Sequence, residues 1–138
     1  MVKVLERADC EVIYNPTQTC CGQPAFNAGF CDESRAVAQK LLNDFAEAEH
    51  IVTPSASCTG FIRNYYPELF NNESAQSSVN NLSKKVYEFS EFLTDVVRIE
   101  DFGASFSVKA TYHDSCAALR ECKIKEGPRR LLSGVKGL

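Results

Sequence analysis

Two adjacent cysteines followed by a glycine, Cys20-Cys21-Gly22, are the residues of this chain best suited to chemistry. Neighbouring side chains diverge by about 100° on a helix and point to opposite faces of a strand, so both thiols reach one centre only where the backbone turns sharply. Gly22 permits this turn because glycine adopts positive φ without steric cost, and Pro24 stiffens the segment that follows. Soft thiolates gathered at one point are typical of iron–sulfur and zinc sites.

The chain has seven cysteines, an odd number that disulfides alone do not use up. Its first residues are charged where a signal peptide is apolar, and no apolar run approaches the roughly 20 residues that span a bilayer. We therefore expect a cytoplasmic protein, in which a reducing environment favours metal or redox roles for thiols over structural disulfides. Cys10, Cys31 and Cys122 are each expected to be spectators that pack as small apolar side chains.

Length, composition and charge restrict the class of protein. The 138 residues are enough for one domain with a real core, and 44% hydrophobic with 24% charged residues is ordinary for a globular protein. The net charge of -3, without a basic stripe interleaved with aromatic residues, argues against a nucleic-acid partner.

Short strands alternate with helices along the chain, which predicts an α/β layered domain with a short parallel sheet flanked by helices. The predicted strands cover residues 12–14, 51–53 and 107–112. Helices are predicted over 2–10, over 33–48 with Asp32 as N-cap, from about Ser57 to Pro67, and through Phe89 to Val96. The Asn- and Ser-rich residues 71–81 are predicted to form a solvated connection. Val37, Leu41, Leu42 and Phe45 are expected to be the buried stripe of the second helix, and Phe61, Tyr65 and Tyr66 to be core residues.

Cysteines follow each of the three predicted strands. Cys20 and Cys21 come after the first, Cys58 after the second and Cys116 after the third. Because ligands collect at the carboxyl ends of parallel strands, these four thiols are predicted to share one site. Four thiolates suit a [4Fe–4S] cluster or a structural zinc, and their spacing alone does not choose between the two.

Three segments carry a resemblance to a known family: residues 19–27 (TCCGQPAFN), 53–60 (TPSASCTG) and 112–116 (YHDSC). They resemble the cysteine-rich CCG-domain proteins, in particular the lactate-utilization iron–sulfur subunits, and more distantly the cysteine-rich component of heterodisulfide reductase and glycolate oxidase iron–sulfur subunits. The resemblance implies an oxidoreductase subunit that transfers electrons through iron–sulfur clusters while partner subunits oxidise L-lactate, or a related 2-hydroxy acid, to pyruvate. It implies metal ligation by Cys20, Cys21, Cys58 and Cys116, with Gly22, Gly60 and His113 lining the cofactor site.

The chain departs from the family pattern in ways that predict an incomplete piece of a two-repeat protein. Residues 1–106 are expected to be a first cysteine-rich repeat without its first strand and its initial cysteine, and Cys58 lacks the second cysteine of a CxxC. Residues 107–138 are expected to be the start of a second, truncated repeat. We expect the chain alone to be inactive, to lose any cluster in air, and to form a homo-oligomer that covers the unpaired sheet edge.

Two other functions remain open at this stage. The chain could be a zinc-stabilised or metal-free interaction module that assembles with a dehydrogenase. It could also be a thiol enzyme with Cys20 or Cys21 as nucleophile, although no cysteine–histidine pair at a recognisable spacing supplies the base. His113 could move protons coupled to electron transfer, or it could simply end the strand while Asp114 caps the next helix.

Overall fold

A parallel pair of short strands lies among helices in the computed structural model, which describes residues 1–71 and 73–138. The strands are β1 (Ile51–Thr53) and β2 (Val86–Glu88), in register with Ile51 opposite Val86. The helices, in chain order, are α1 (Val2–Arg7), α2 (Gln23–Asn27), α3 (Cys31–Asp44), α4 (Ala56–Asn64), α5 (Tyr66–Leu69), α6 (Glu73–Ser83), α7 (Phe89–Glu91), a π-helical segment (Phe92–Val97), α8 (Cys116–Arg120) and α9 (Glu126–Ser133). The predicted fold class, an α/β layer with a short parallel sheet flanked by helices, is confirmed.

The main core forms between the sheet and helices α3 to α6. Ile51 and Val86, paired across the two strands, are both buried because β-branched side chains pack well on a sheet face. Around them lie Cys21, Ala38, Leu42, Phe61, Ile62, Tyr66, Leu69, Phe70, Val79 and Leu82. The prediction that Phe61 and Tyr66 belong to the core is confirmed, and Tyr65 packs at its margin.

Helix α3 forms where it was predicted, with a different start and a different buried face. It begins after Phe30, and Asp32 lies within its first turn, so Asp32 is not the N-cap. The buried residues are Ser34, Ala38 and Leu42, spaced four apart on one face. Leu41 and Phe45 only flank this face, because small side chains at its centre let the cysteine loop and the neighbouring helices approach closely.

Arg63 ties α4 to the end of the sheet. Its guanidinium donates to the carbonyl oxygen of Val86 from Nε (2.8 Å) and Nη2 (2.6 Å), and it forms a two-pronged ion pair with Glu91 at 3.0 and 2.8 Å. Glu91 also closes a capping box with Glu88 at the start of α7. Bidentate, partly buried pairs of this kind fix geometry as well as charge, so the register of α4 against β2 is well determined.

Two of the three predicted strands are wrong. Residues 12–14 and 107–112 are irregular, with exposed side chains such as Ile13 (87% exposed), Tyr14 (65%) and Tyr112 (40%). Alternating apolar residues form a strand only when a neighbouring strand supplies hydrogen-bond partners. Outside β1 and β2, the described residues contain a single isolated bridge, between Ser105 and Lys136. The sheet instead uses β2, which the sequence analysis did not foresee.

The prediction of a solvated connection over residues 71–81 is also wrong for the residues of this segment that form a helix in the structure. Residues 73–83 form helix α6, and Asn72 lies outside the described residues. Val79 and Leu82, three residues apart, bury one face of this helix in the main core. The Asn and Ser residues occupy mainly the other positions of the helix. Because polar residues outnumber the apolar ones, the helical spacing of the apolar residues was not recognised in the sequence. Within the described residues, no helix combines the length and apolar character needed to cross a bilayer.

Candidate metal centre

The Cys20-Cys21-Gly22 segment makes the sharp turn that its composition predicts. Gly22 adopts a φ of +92° and begins helix α2, and its backbone N–H points at the sulfur of Cys20, 3.5 Å away. A β-carbon on Gly22 would lie 2.9 Å from both the backbone oxygen and the hydroxyl of Ser34. The turn presents the thiol of Cys20 to solvent and buries that of Cys21, which is 5% exposed.

Two buried hydroxyl groups hold the backbone of this turn. Ser34 on α3 donates from Oγ to the carbonyl oxygen of Gly22 at 3.0 Å. Tyr66 at the start of α5 donates from its hydroxyl to the carbonyl oxygen of Cys21 at 2.8 Å. Both donors are fully buried. The turn is therefore anchored to two separate helices, which no local sequence signal indicated.

Cys58 reaches the same place from the first turns of α4, just after β1. Its side chain packs against the core cluster that contains Cys21. The thiol of Cys21 hydrogen-bonds to the sulfur of Cys58, and this bond, aided by the hydroxyls of Ser55 and Ser57, lowers the pKa of Cys58 to about 6 against the effect of burial. The same bond and burial raise the pKa of Cys21, so the two thiols titrate as a coupled pair.

Cys20 belongs to the same electrostatic neighbourhood. The pKa of Tyr66 is raised first by burial and then by the charges of Cys21, Cys20 and Cys58. The charge of Cys20 also contributes to the raised pKa of Cys21. The structure thus brings Cys20, Cys21 and Cys58 to one end of the core, although they lie up to 38 residues apart in sequence.

Cys116 and Cys122 lie on helix α8 and the turn after it, which packs against a different side of α4. Cys122 donates from Sγ to the carbonyl oxygen of Ala56 at 3.3 Å, and burial raises its pKa to about 11. Cys58 follows Ala56 by two residues, about 200° around the helix. Its thiol therefore projects from the side of α4 opposite to the side that Cys122 contacts. Cys116 is exposed at the start of α8.

Gly60 lies on the α8 side of α4 rather than among the thiols. A β-carbon there would collide with the side chain of Glu121, so its lack of a side chain lets α4 and α8 approach closely. Asn64, one turn later, donates to the backbone oxygen of Glu121 at 3.1 Å across the same contact. A role for Gly60 in lining a cofactor site stays a prediction.

His113 lies in the exposed segment before α8, next to a charge pair. Arg129 donates to both carboxylate oxygens of Asp114, at 2.7 and 2.6 Å, which holds the pKa of Asp114 below its usual range. Asp114 does not cap α8, because Ser115 accepts the hydrogen bond from the N–H of Ala118 instead. A proton-transfer role for His113 has no further support from its surroundings.

The thiols at this site are ligands of the kind that a soft metal prefers, but there are too few of them in position to complete a metal site. Thiolates are the ligands that iron–sulfur clusters and zinc prefer, and Cys21 and Cys58 stand side by side with Cys20 close to them. Across residues 1–71 and 73–138, however, no group of three or more Cys, His, Asp or Glu side chains stands in position to hold a metal ion. A complete four-ligand site would need the Cys20 side chain to turn inward and a further ligand to join.

Comparison with known proteins finds a domain family similar to the segment that carries this thiol pair. Residues 1–63, which include Cys20, Cys21 and Cys58, match the cysteine-rich domain named CCG. This segment of the chain is similar to the CCG cysteine-rich domain. The match begins at α1 and ends inside α4, so the CCG domain contains the anchored turn and the first turns of α4 that carry Cys58.

Several relatives match almost the whole of this chain. Lactate utilization protein A of Geobacillus kaustophilus is 42% identical over 138 residues, which are 99% of this chain and 57% of that protein. Lactate utilization protein A 1 of Bacillus mycoides is 42% identical over 140 residues, with 57% of its length covered, and the Oceanobacillus iheyensis protein is 38% identical with 56% covered. The chain therefore spans somewhat more than half the length of these relatives. No solved structure matches it significantly.

Mild oxidation of the reduced, metal-free chain with diamide is expected to join Cys21 to Cys58. The two thiols are already hydrogen-bonded, and the reagent takes up the two hydrogens that the new S–S bond releases. Mass spectrometry of the digested protein should find the peptide containing Cys21 linked to the peptide containing Cys58. Cys122, buried on the other side of α4, should remain reduced. A preferred bond between Cys31 and Cys58 would contradict the geometry described here.

Proposed function

We propose that this chain is part of an iron–sulfur electron-transfer subunit that acts with partner subunits in the oxidation of L-lactate, or a related 2-hydroxy acid, to pyruvate in the cytoplasm. The observation that carries the proposal is the meeting of Cys21 and Cys58, 37 residues apart in sequence, with Cys20 beside them at the anchored turn. The naming of the relatives as lactate utilization proteins supports the choice of substrate.

Each residue has a distinct part in this proposal. Cys58 lies on a helix held by the Arg63–Glu91 ion pair, and the interaction with Cys21 lowers the pKa of its thiol, which favours the thiolate form that binds a metal. Cys21 shields the site from the core side, and Cys20 closes it from the solvent side. When bound, an iron–sulfur cluster, [4Fe–4S] in type, would supply one-electron transfer. Ligation by Cys116, and cofactor contacts by Gly22, Gly60 and His113, belong to the same proposal.

Metal analysis after anaerobic reconstitution tests the cofactor. The reduced chain would be treated with ferrous iron and sulfide, desalted, and assayed for iron, acid-labile sulfide and zinc together with its visible and electron paramagnetic resonance spectra. We expect a brown protein with iron and sulfide in comparable amounts. A colourless protein with stoichiometric zinc, or one without bound metal, would instead indicate the interaction module and would overturn the electron-transfer role.

The substrate needs a separate test in the source organism. A strain without the gene should fail to grow on L-lactate and should grow normally on pyruvate, because only the oxidation step is missing. Equal growth on both would exclude lactate oxidation while leaving the cluster untouched. The expected homo-oligomer stays a prediction, which light scattering of the purified chain would check.

A further inference from the structure

The hydroxyl groups of Ser34 and Tyr66 connect the cysteine turn to helices α3 and α5 as well as satisfying its backbone carbonyl groups. Tyr66 begins α5, which follows α4 after the single residue Tyr65. Its ring packs edge-on against Phe61 of α4 at 5.5 Å between centroids and against Phe70 at 6.0 Å. The hydroxyl of Tyr66 is thus rigidly connected to the helix that carries Cys58. Its hydrogen bond to the carbonyl oxygen of Cys21 therefore sets the position of one thiol relative to the other.

Ser34 restrains the same turn from the opposite helix. Its hydroxyl bonds the carbonyl oxygen of Gly22, and its backbone lies so close that only glycine fits there. With Cys21 O held by α5 and Gly22 O held by α3, two successive peptide groups of the turn have fixed orientations. The first of these peptide groups includes the Cα of Cys21, so its fixed orientation restricts the direction of the Cys21 side chain.

We infer that Tyr66 and Ser34 are positioning residues that hold the Cys20–Gly22 turn so that the thiol of Cys21 faces Cys58. What this arrangement means for metal binding rests on the proposed function. The arrangement itself is a property of the metal-free chain. Removing the Tyr66 hydroxyl takes away the hydrogen bond that holds the carbonyl oxygen of Cys21. Removing the Ser34 hydroxyl leaves the carbonyl oxygen of Gly22 with only the N–H of Phe26, at 3.1 Å, which belongs to the turn's own helix α2. Either loss lets the turn move away from α4. Such a motion is local, because the ring of Tyr66 and the rest of the core remain in place.

The test uses Tyr66→Phe and Ser34→Ala, with Tyr65→Phe as the matched control. Tyr65 is the adjacent tyrosine, whose ring stacks on Phe61 and packs against Phe26, and no hydrogen bond of its hydroxyl to another described residue is seen. Each reduced, metal-free protein would be treated with iodoacetamide, and the rate of modification of every cysteine would be followed by peptide mass spectrometry. Cys122, buried on the other side of α4, reports general loosening of the fold.

We expect the modification of Cys21 to accelerate about tenfold in Tyr66→Phe and in Ser34→Ala, as the loss of one buried hydrogen bond allows, with Cys122 unchanged. Tyr65→Phe should leave both rates as they are. Equal acceleration of Cys21 and Cys122 would reduce the two residues to a general structural role, and unchanged Cys21 rates in both variants would overturn the inference. If one variant does not fold, the other decides the result.

A second readout connects the inference to the metal without depending on activity. After reconstitution with iron and sulfide, Tyr66→Phe should show an altered electron paramagnetic resonance spectrum or a lower iron content, and Tyr65→Phe should match the unsubstituted chain. If the unsubstituted chain takes up no iron, the proposed function fails. The alkylation rates still judge the positioning role in that case, so the two failures can be told apart.

Discussion

Replacing Cys58 by serine will lower the iron that the reconstituted chain retains to less than about one tenth of the unsubstituted level. The pKa of the Cys58 thiol is lowered by Cys21, which favours its thiolate, whereas a serine hydroxyl is a harder donor that stays protonated at neutral pH. Cys21→Ser should have an effect of similar size, because it removes the neighbouring soft ligand. Iron and sulfide assays with visible spectra, on proteins of verified folding, measure this.

Cys10→Ser and Cys31→Ser are the controls for that experiment. Cys10 lies with the second apolar cluster around Leu5 and Phe92, and Cys31 is exposed at the start of α3. Both variants should keep their iron. Cys116→Ser tests whether a thiol on the far side of α4 joins the site. Retention of iron by Cys58→Ser, or its loss in Cys31→Ser, would show that the metal is bound elsewhere in the chain.

Gly22→Ala is expected to destabilise the fold by about 2–4 kcal/mol. Two costs add at this position: a φ of +92°, which is strained for any residue with a β-carbon, and the approach of that carbon to within 2.9 Å of the Ser34 backbone oxygen. A backbone oxygen cannot swing aside as a long side chain can, so relief requires α3 to shift away from the turn. Urea-induced unfolding followed by circular dichroism gives the free energy of unfolding of both proteins.

Gly29→Ala separates the two costs. Gly29 has a similar φ of +86°, but a β-carbon there would meet nothing within 4 Å. It should therefore cost only the backbone strain, about 1 kcal/mol. Equal losses for the two variants would mean that the close approach of Ser34 to Gly22 adds nothing to the stability of the turn.

Local features of the chain could be predicted well from its sequence. The turn at Cys20-Cys21-Gly22, helix α1, helix α3 and strand β1 all depend on residues close together in the chain, such as a glycine that accepts positive φ or a helical repeat of apolar residues. Segment 107–112 shows the limit of this reasoning. Its alternation of Val108, Ala110 and Tyr112 gives strand propensity, but pairing depends on a neighbouring strand that the pattern does not reveal.

The residue types with the right chemistry can be identified from the chain alone: adjacent thiols at a turn, a third thiol after a strand, and an α/β frame to carry them. Which of these thiols meet depends on how the helices pack. Cys58 faces Cys21 while Cys122 bonds Ala56 on the opposite side of the same helix, because the rotation of α4 is set by its packing against the core and by the Arg63–Glu91 pair. Likewise Ser34 and Tyr66 anchor the turn from 12 and 45 residues away. Contacts over such separations arise from the packing of helices, which short-range patterns of residue types do not contain.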